Sequence, residues 1–371
     1  MPPEAAYPAR YSAPYPARWW QMLADGRLQC DLCPRECKLH DGQRGLCFVR
    51  QRVGAQMVLD TYGRSSGFCL DPVEKKPLNH FYPGSSILSF GTAGCNLSCK
   101  FCQNWDISKS RDVDKLGQRV MPTDIAAACV QLQTPMVAFT YNDPVIFAEY
   151  AIDTAQACRA AGVKSVAVTA GYIHDAPRRE FFAHMDAANI DLKAFTQDFY
   201  SQWCAGDLAH VLDTLVHVRH ATRCWLEITT LLIPGANDSD AELIALSRWM
   251  VRELGPDVPL HFTAFHPAYK TQDLPRTPPE TLSRARHIAM AEGLRFVYTG
   301  NVHDAQGGTT FCPQCQTPVL VRDWHLVTHN ALKGHLCGHC GVTLPGHFAP
   351  EGQAFKPFGR QRIPVRFESG G

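Results

Sequence analysis

From Ile87 onward, apolar runs recur at 87–90, 136–140, 165–169, 188–192, 225–232 and 260–265, each followed by a stretch long enough for a helix. Short continuous apolar runs of this kind read as buried strands of a parallel sheet. Thr123 and Asp124 open one helical pattern, Asp143-Pro144 opens a second that Gly162 stops, and Asn237-Asp238 opens a third with good capping chemistry. Six strands separated by crossover helices predict a parallel α/β architecture. Periodicity alone leaves a doubly wound sheet and a full or partial barrel both standing. A shorter run at 296–298 offers one more strand.

On either side of this region the chain changes character. Residues 1–27, whose first part repeats Pro, Tyr and Ala without a period, read as a poorly ordered lead-in, and 28–84 as a Cys-rich segment. The α/β region spans 85–305, a Cys-, His- and Gly-rich module 306–350, and a polar tail 351–371. A hydrophobic share of 45% and a charged share of 19% are ordinary for a globular chain of 371 residues. Lys and Arg (36) balance Asp and Glu (35), so no basic excess points to nucleic acid. No segment approaches the roughly 18 apolar residues of a membrane span, and residues 1–20 lack a secretory h-region, so no membrane partner and a cytoplasmic address are expected.

The 16 cysteines sharpen the picture because most are clustered. In a reducing compartment, clustered cysteines hold metal more often than they form disulfides. Right after the first strand stands Gly91-Thr92-Ala93-Gly94-Cys95-Asn96-Leu97-Ser98-Cys99-Lys100-Phe101-Cys102, a C-x3-C-x2-C spacing in a Gly-rich loop. Three thiolates with no obvious fourth nearby would leave one iron of a cluster open to another ligand, and an open position is where chemistry occurs. Cys312, Cys315, Cys337 and Cys340 form two C-x2-C knuckles with 21 residues between them, close to zinc-ribbon spacing. Four thiolates there would give a closed structural site, zinc by preference, with a second iron-sulfur cluster as the alternative. Cys30, Cys33, Cys37 and Cys47 supply four more ligands at irregular spacing, suited to zinc or to an auxiliary iron-sulfur cluster. Cys69, Cys129, Cys158, Cys204 and Cys224 read most simply as small buried apolar residues, with completion of a cluster by one of them as the alternative.

The C-x3-C-x-aromatic-C motif after the first strand resembles the radical S-adenosylmethionine superfamily. That resemblance implies a partial (β/α)6-type barrel with a 4Fe-4S cluster on Cys95, Cys99 and Cys102. S-Adenosylmethionine would bind the fourth iron and be cleaved reductively to a 5′-deoxyadenosyl radical, an oxidoreductase-like chemistry carried by the cofactor. Phe101 would pack near the adenine or simply support the loop.

Strand ends carry the remaining candidates, because in barrel-like α/β folds chemistry collects there. Asn142 and Asp143 resemble an element that contacts the cofactor's amino group, with Asp143 alternatively a helix N-cap. Thr169 lies in a Thr-Ala-Gly segment similar to the Thr-Asn-Gly of pyruvate formate-lyase-activating enzymes. Asp191 and Lys193 resemble that branch's Asp-x-Lys element, or form an internal ion pair. Ile233 stands in an Ile-Pro-Gly turn expected near adenine, and His266 would face the cofactor or pack among aromatics.

Taken with the Cys30–Cys47 lead-in, the segments Tyr141-Asn142-Asp143-Pro144, Ala188–Lys193 and Phe265-His266-Pro267 resemble the radical enzyme of the AmmeMemoRadiSam system. That resemblance implies AMMECR1-like and Memo-like partners and a flavodoxin- or ferredoxin-like electron donor. Two competitors remain. One is activation of a glycyl-radical enzyme through a partner's glycine. The other is a noncatalytic zinc-stapled binding protein.

Overall fold

The computed structural model describes residues 14–109, 118–351, 357–359 and 361–367. Seven strands pair in parallel in strict chain order: β1 (Ser86–Phe90), β2 (Met136–Phe139), β3 (Lys164–Thr169), β4 (Ala187–Asp191), β5 (Trp225–Leu232), β6 (Leu260–Ala264) and β7 (Val297–Gly300). One long helix follows each of the first six: α1 (Pro122–Gln131), α2 (Ala148–Ala160), α3 (Asp175–Ala183), α4 (Leu208–Ala221), α5 (Asp240–Glu253) and α6 (Pro279–Ala291). A doubly wound sheet needs a reversal of strand order, and none occurs. Crossovers that always step the same way leave every helix on one face. β1 and β7 are not paired, so the curved sheet stays open: this is the partial barrel expected from the sequence.

The two faces of the sheet are chemically different. Outward side chains such as Leu88, Phe90, Val137, Ala167, Ile190 and Phe262 join the helices in one large core. Inward, Ile87, Met136, Ala138, Val166 and Ala187 pack with Val73, Leu78 and Phe81 into a separate apolar plug at the amino ends of the strands. Farther along, the same inward face turns polar, which positions a site at the carboxyl ends.

Helix starts follow local chemistry with one correction. Asn237-Asp238 does not open α5; Ser239 caps it, its hydroxyl accepting from the Glu242 N–H at 3.3 Å. Asn237 instead pins the end of β5, accepting from the Ile233 N–H (2.7 Å) and donating to the Lys193 and Leu231 carbonyls (2.8 and 2.9 Å).

Beyond the barrel, three expectations change. The sheet extends past β1 through Phe68–Pro72, antiparallel, so a boundary at residue 85 divides a hairpin. Ile363–Val365, read as part of a polar tail, returns to pair with Phe68–Pro72 as the outer strand of that sheet, an edge position that tolerates Pro364. The lead-in is structured from residue 14: Tyr15–Pro16 pairs with Leu59 and Val58, and Trp20–Met22 with Leu28–Cys30. Residues 1–13 lie outside the described residues. A buried bidentate pair, Arg50 to Glu149 at 2.7 and 2.9 Å, anchors the N-terminal segment to α2. At the other end, Thr310–Phe311, Pro318–Asp323 and Leu326–Asn330 form a small antiparallel sheet beside the cysteine knuckles. Among the described residues, no helix is long and apolar enough to cross a membrane.

Candidate functional site

A cavity of about 660 Å³ opens along the inner face of the barrel at the carboxyl ends of its strands. Cys95, Cys99 and Cys102 all line it, as do Phe101, Asn142, Asp143, Thr169, Asp191 and Lys193. Nine residues named from strand ends and the cysteine loop are thus brought to one place.

The cysteine loop is held by backbone contacts that leave no room for side chains. A Cβ on Gly91 would stand 2.4 Å from the Thr140 carbonyl oxygen, and one on Gly94 (φ +86°) 2.0 Å from that of Cys47. Asn142 grips the loop, accepting from the Thr92 N–H (3.0 Å) and donating to the Gly94 carbonyl (2.9 Å). On the other side, the N–H groups of Ser98 and Lys100 donate to the carbonyls of Cys204 and Trp203, both at 2.8 Å. Phe101 is buried beside Phe199 and Trp203, so its surroundings are those of a loop support.

Electrostatics differ among the three thiols. Burial, then Asp143, pushes Cys95 up to about 12, and burial also raises Cys102. Cys99 is lowered, first by hydrogen bonding with the Cys204 thiol and then, against burial, by the Lys193 and Lys109 ammonium groups. Two cations therefore favour a thiolate at this position. Cys204, read from sequence as apolar filling, turns out to be a neighbour of the cysteine motif. Cys69 likewise has a polar partner, accepting from Arg362 Nε at 2.7 Å.

Asp143 realises its capping role and more. Oδ1 accepts from the Val145 N–H (3.0 Å) and the Thr169 hydroxyl (2.9 Å), while Oδ2 accepts from the Ala170 N–H (2.9 Å). It ties the end of β2 to the end of β3, and burial still raises its carboxyl above the ordinary value. Asp191 and Lys193 form the internal ion pair, Oδ2 to Nζ at 2.5 Å. Burial works against the Lys193 charge, but Asp191 and the nearby Cys99 more than offset it and raise its pKa.

Two expected residues are elsewhere. Ile233 is fully buried with its N–H held by Asn237, and it does not line the cavity. His266 sits past the strand, half-buried, its Nδ1 3.5 Å from Arg276. From the barrel strands, it is His261, within β6, that lines the cavity. Alternation held the missed signal: Glu227 and Thr229 in β5, then His261 and Thr263 in β6, place polar groups on the inward face.

Below these residues runs a buried polar network. Glu227 accepts from the N–H groups of Asn79 (2.9 Å) and His80 (2.8 Å) and pairs with His261 Nε2 at 2.7 Å. Burial opposes its charge, but His261, His80 and the backbone donors outweigh it and lower its pKa. His80 continues through Tyr298 (2.6 Å) and Thr310 (2.8 Å) to Arg322 (2.9 Å) of the C-terminal module. Arg322, Trp324 and His325 themselves line the cavity, so the module forms part of its wall.

In that module the thiols of Cys312, Cys315, Cys337 and Cys340 all lie within 4.8 Å of one another, with Cys312–Cys340 at 3.5 Å and Cys315–Cys337 at 3.8 Å. Tetrahedral coordination with metal–sulfur bonds of about 2.3 Å puts sulfurs about 3.8 Å apart, so one metal ion fits. Cys30, Cys33, Cys37 and Cys47 converge on a second, small buried pocket.

A family model described as the radical SAM superfamily matches residues 90–246. The uncharacterized protein MJ0808 of Methanocaldococcus jannaschii is 37% identical over 306 residues, 82% of this chain and 91% of that one. Among solved structures, a domain of a pyruvate-formate lyase-activating enzyme from Bacteroides vulgatus is 19% identical with a TM-score of 0.39, covering 44% of this chain and 98% of that one. A radical SAM methyltransferase from Sphaerobacter thermophilus is 17% identical with a TM-score of 0.46, covering 60% and 68%.

Proposed function

We propose, since this chain belongs to the radical SAM superfamily, that it is an enzyme whose Cys95, Cys99 and Cys102 hold a 4Fe-4S cluster with one iron left for S-adenosylmethionine. The observation that carries this reading is the convergence of those thiols with Asp191 and Lys193 on one cavity at the carboxyl ends of the strands. The donor set fits the group: three sulfurs, two ammonium groups that favour thiolate at Cys99, and a loop held rigidly by Asn142 and Gly94. When bound, the cluster supplies the electron that splits S-adenosylmethionine into methionine and a 5′-deoxyadenosyl radical, which takes a hydrogen atom from the substrate.

The protein's own residues prepare that event. Lys193, kept charged by Asp191, offers a cation to the cofactor's carboxylate, and Asp143 fixes the Thr169–Ala170 backbone beside it. His261, Thr229 and Thr263 provide polar contacts on the inward face, while Arg322 and His325 add polar groups to the wall. We place the enzyme in the reducing cytoplasm, with a flavodoxin- or ferredoxin-like donor, structural zinc on Cys312, Cys315, Cys337 and Cys340, and AMMECR1-like and Memo-like partners of the AmmeMemoRadiSam system.

The test is anaerobic reconstitution, reduction with dithionite and assay of 5′-deoxyadenosine from S-adenosylmethionine. Wild type should produce it, and the Cys95→Ala/Cys99→Ala/Cys102→Ala variant should not. Equal yields from both proteins would end this reading.

A further inference from the structure

Four cysteines outside the catalytic motif are, by ligand type alone, suited equally to zinc and to an iron-sulfur cluster. Cys30, Cys33, Cys37 and Cys47 line one pocket, sheathed by Leu32, Leu39 and Ile146. Three of the four are buried and the fourth is half-buried. We infer that this pocket holds a second iron-sulfur cluster, separate from the catalytic one and set directly beside its loop.

The spacing of the sulfurs separates this site from the C-terminal one. Around a single tetrahedral ion, four sulfurs crowd to within about 4 Å of each other, as the C-terminal set does. Among the described residues, no three of Cys30, Cys33, Cys37 and Cys47 meet even a 4.8 Å limit, although all four face the same pocket. Thiolates arranged around a body larger than one ion suit a cluster, in which each sulfur binds a different iron or shares one of two.

A second observation concerns charge. Arg35 lines the pocket and donates through Nε to the Asn96 carbonyl at 2.8 Å, but its Nη2 is buried with no hydrogen-bond partner among the described residues. A buried guanidinium N–H left unpaired is costly, and neutral thiols are poor acceptors for it. A thiolate-ligated cluster is anionic and supplies acceptors along that wall. The Leu46 N–H already donates to Cys37 Sγ at 3.4 Å, the kind of backbone contact that tunes cluster sulfurs.

Location is the third point. Asn96, which lines this pocket, follows Cys95 directly, and Gly94 of the same loop packs on the Cys47 carbonyl. The two cysteine sets share a wall. This inference stands on the N-terminal residues and does not need the catalytic reading to be right.

The experiment reconstitutes the full chain anaerobically with ferrous iron and sulfide, removes loosely bound metal, and measures iron, acid-labile sulfide and zinc, followed by EPR of the reduced protein. The Cys95→Ala/Cys99→Ala/Cys102→Ala variant should retain iron and sulfide in about equal amounts, with a reduced-cluster signal that S-adenosylmethionine does not alter. In Cys33→Ser/Cys37→Ser that fraction should disappear while any signal responsive to S-adenosylmethionine stays. If the second variant fails to fold, the first decides alone. Zinc without sulfide at the N-terminal site of the first variant, or a folded first variant devoid of both iron and sulfide, would overturn the proposal. A retained cluster in the first variant, with wild type making no 5′-deoxyadenosine, would instead count against the catalytic reading and leave this one standing.

Discussion

Nε2 of His80 lies 2.6 Å from the hydroxyl of Tyr298, deep inside the barrel, and this contact fixes a proton order across the junction with the C-terminal module. The other ring nitrogen, Nδ1, is 2.7 Å from the Pro345 carbonyl, which can only accept, so Nδ1 carries the proton. A neutral imidazole then accepts from Tyr298, whose oxygen is left to accept from Thr310, which in turn accepts from Arg322. Protonating the ring would reverse this order and put a buried charge among these groups.

Stability should therefore weaken in mild acid. Burial lowers His80 from 6.5 to about 4, so the folded chain binds fewer protons than the unfolded one between those values. Its contribution is fully present above pH 6.5 and is lost as pH falls toward 4, on the order of 3 kcal/mol in total. Urea unfolding of wild type and His80→Gln at pH 7.0 and 5.0, chosen at roughly either side of the ordinary imidazole range, should show a steeper loss in wild type. Parallel slopes would refute the assignment.

Replacing Asp143 by Asn keeps its shape but not its acceptors. One oxygen can still receive Val145 and Thr169, while the new amide N–H₂ faces the Ala170 N–H. Two opposed donors should cost about 1–3 kcal/mol of stability. Chemical denaturation measures this, and S-adenosylmethionine binding should weaken alongside because the β3 end loses its tether.

Lys193→Gln should leave the iron content of the reconstituted protein unchanged. Affinity for S-adenosylmethionine should fall roughly tenfold or more, the loss of one charge-assisted hydrogen bond. Isothermal titration under anaerobic conditions reads the effect. Unchanged affinity would leave the Asp191–Lys193 pair a purely structural link.

At Gly94, alanine would drive a methyl group into the Cys47 carbonyl oxygen, 2.0 Å from the position of its Cβ, at a φ of +86°. The loop must shift, so Gly94→Ala should lower both iron content and thermal stability, the latter by about 2 kcal/mol or more. Gly162→Ala has a comparable φ of +74° with nothing near its Cβ, and serves as the control that should keep its iron.

Cys312→Ser should remove one zinc per chain and lower the melting temperature. The C-terminal module has a small core of its own, Cys312, Val319, Cys337 and Leu344, so a metal bound there would supply much of its cohesion. Metal analysis and a thermal melt decide the matter, and a full zinc complement in the variant would place the ion elsewhere.

Much of the barrel was legible because parallel strands and their crossover helices leave local marks. The runs at 87–90, 136–140 and 165–169 each coincide closely with a strand. Asp143, Thr169, Asp191 and Lys193 were findable because a strand end is a local feature and fold geometry gathers strand ends together. His266 and Ile233 lie off the cavity lining, because position after a strand says little about side-chain direction once the chain has turned. His261 was hidden inside a run that looked uniformly buried, because burial against a cavity and burial against helices produce similar short apolar patterns.

The amino-acid sequence by itself determined the repeating strand-helix order, the three-cysteine loop and the two outer ligand sets, since spacing along the chain constrains each of them. Only the tertiary structure decided that the strands wind in one direction without reversal, that Cys204 adjoins Cys99, and that Ile363–Val365 closes the sheet edge against Phe68–Pro72. It also decided that Arg322, far along the chain, helps wall the cavity and ends the hydrogen-bond path from His80. These are pairings between distant segments, selected by which buried polar groups can satisfy one another and which edges remain to be covered, and no local pattern encodes that choice.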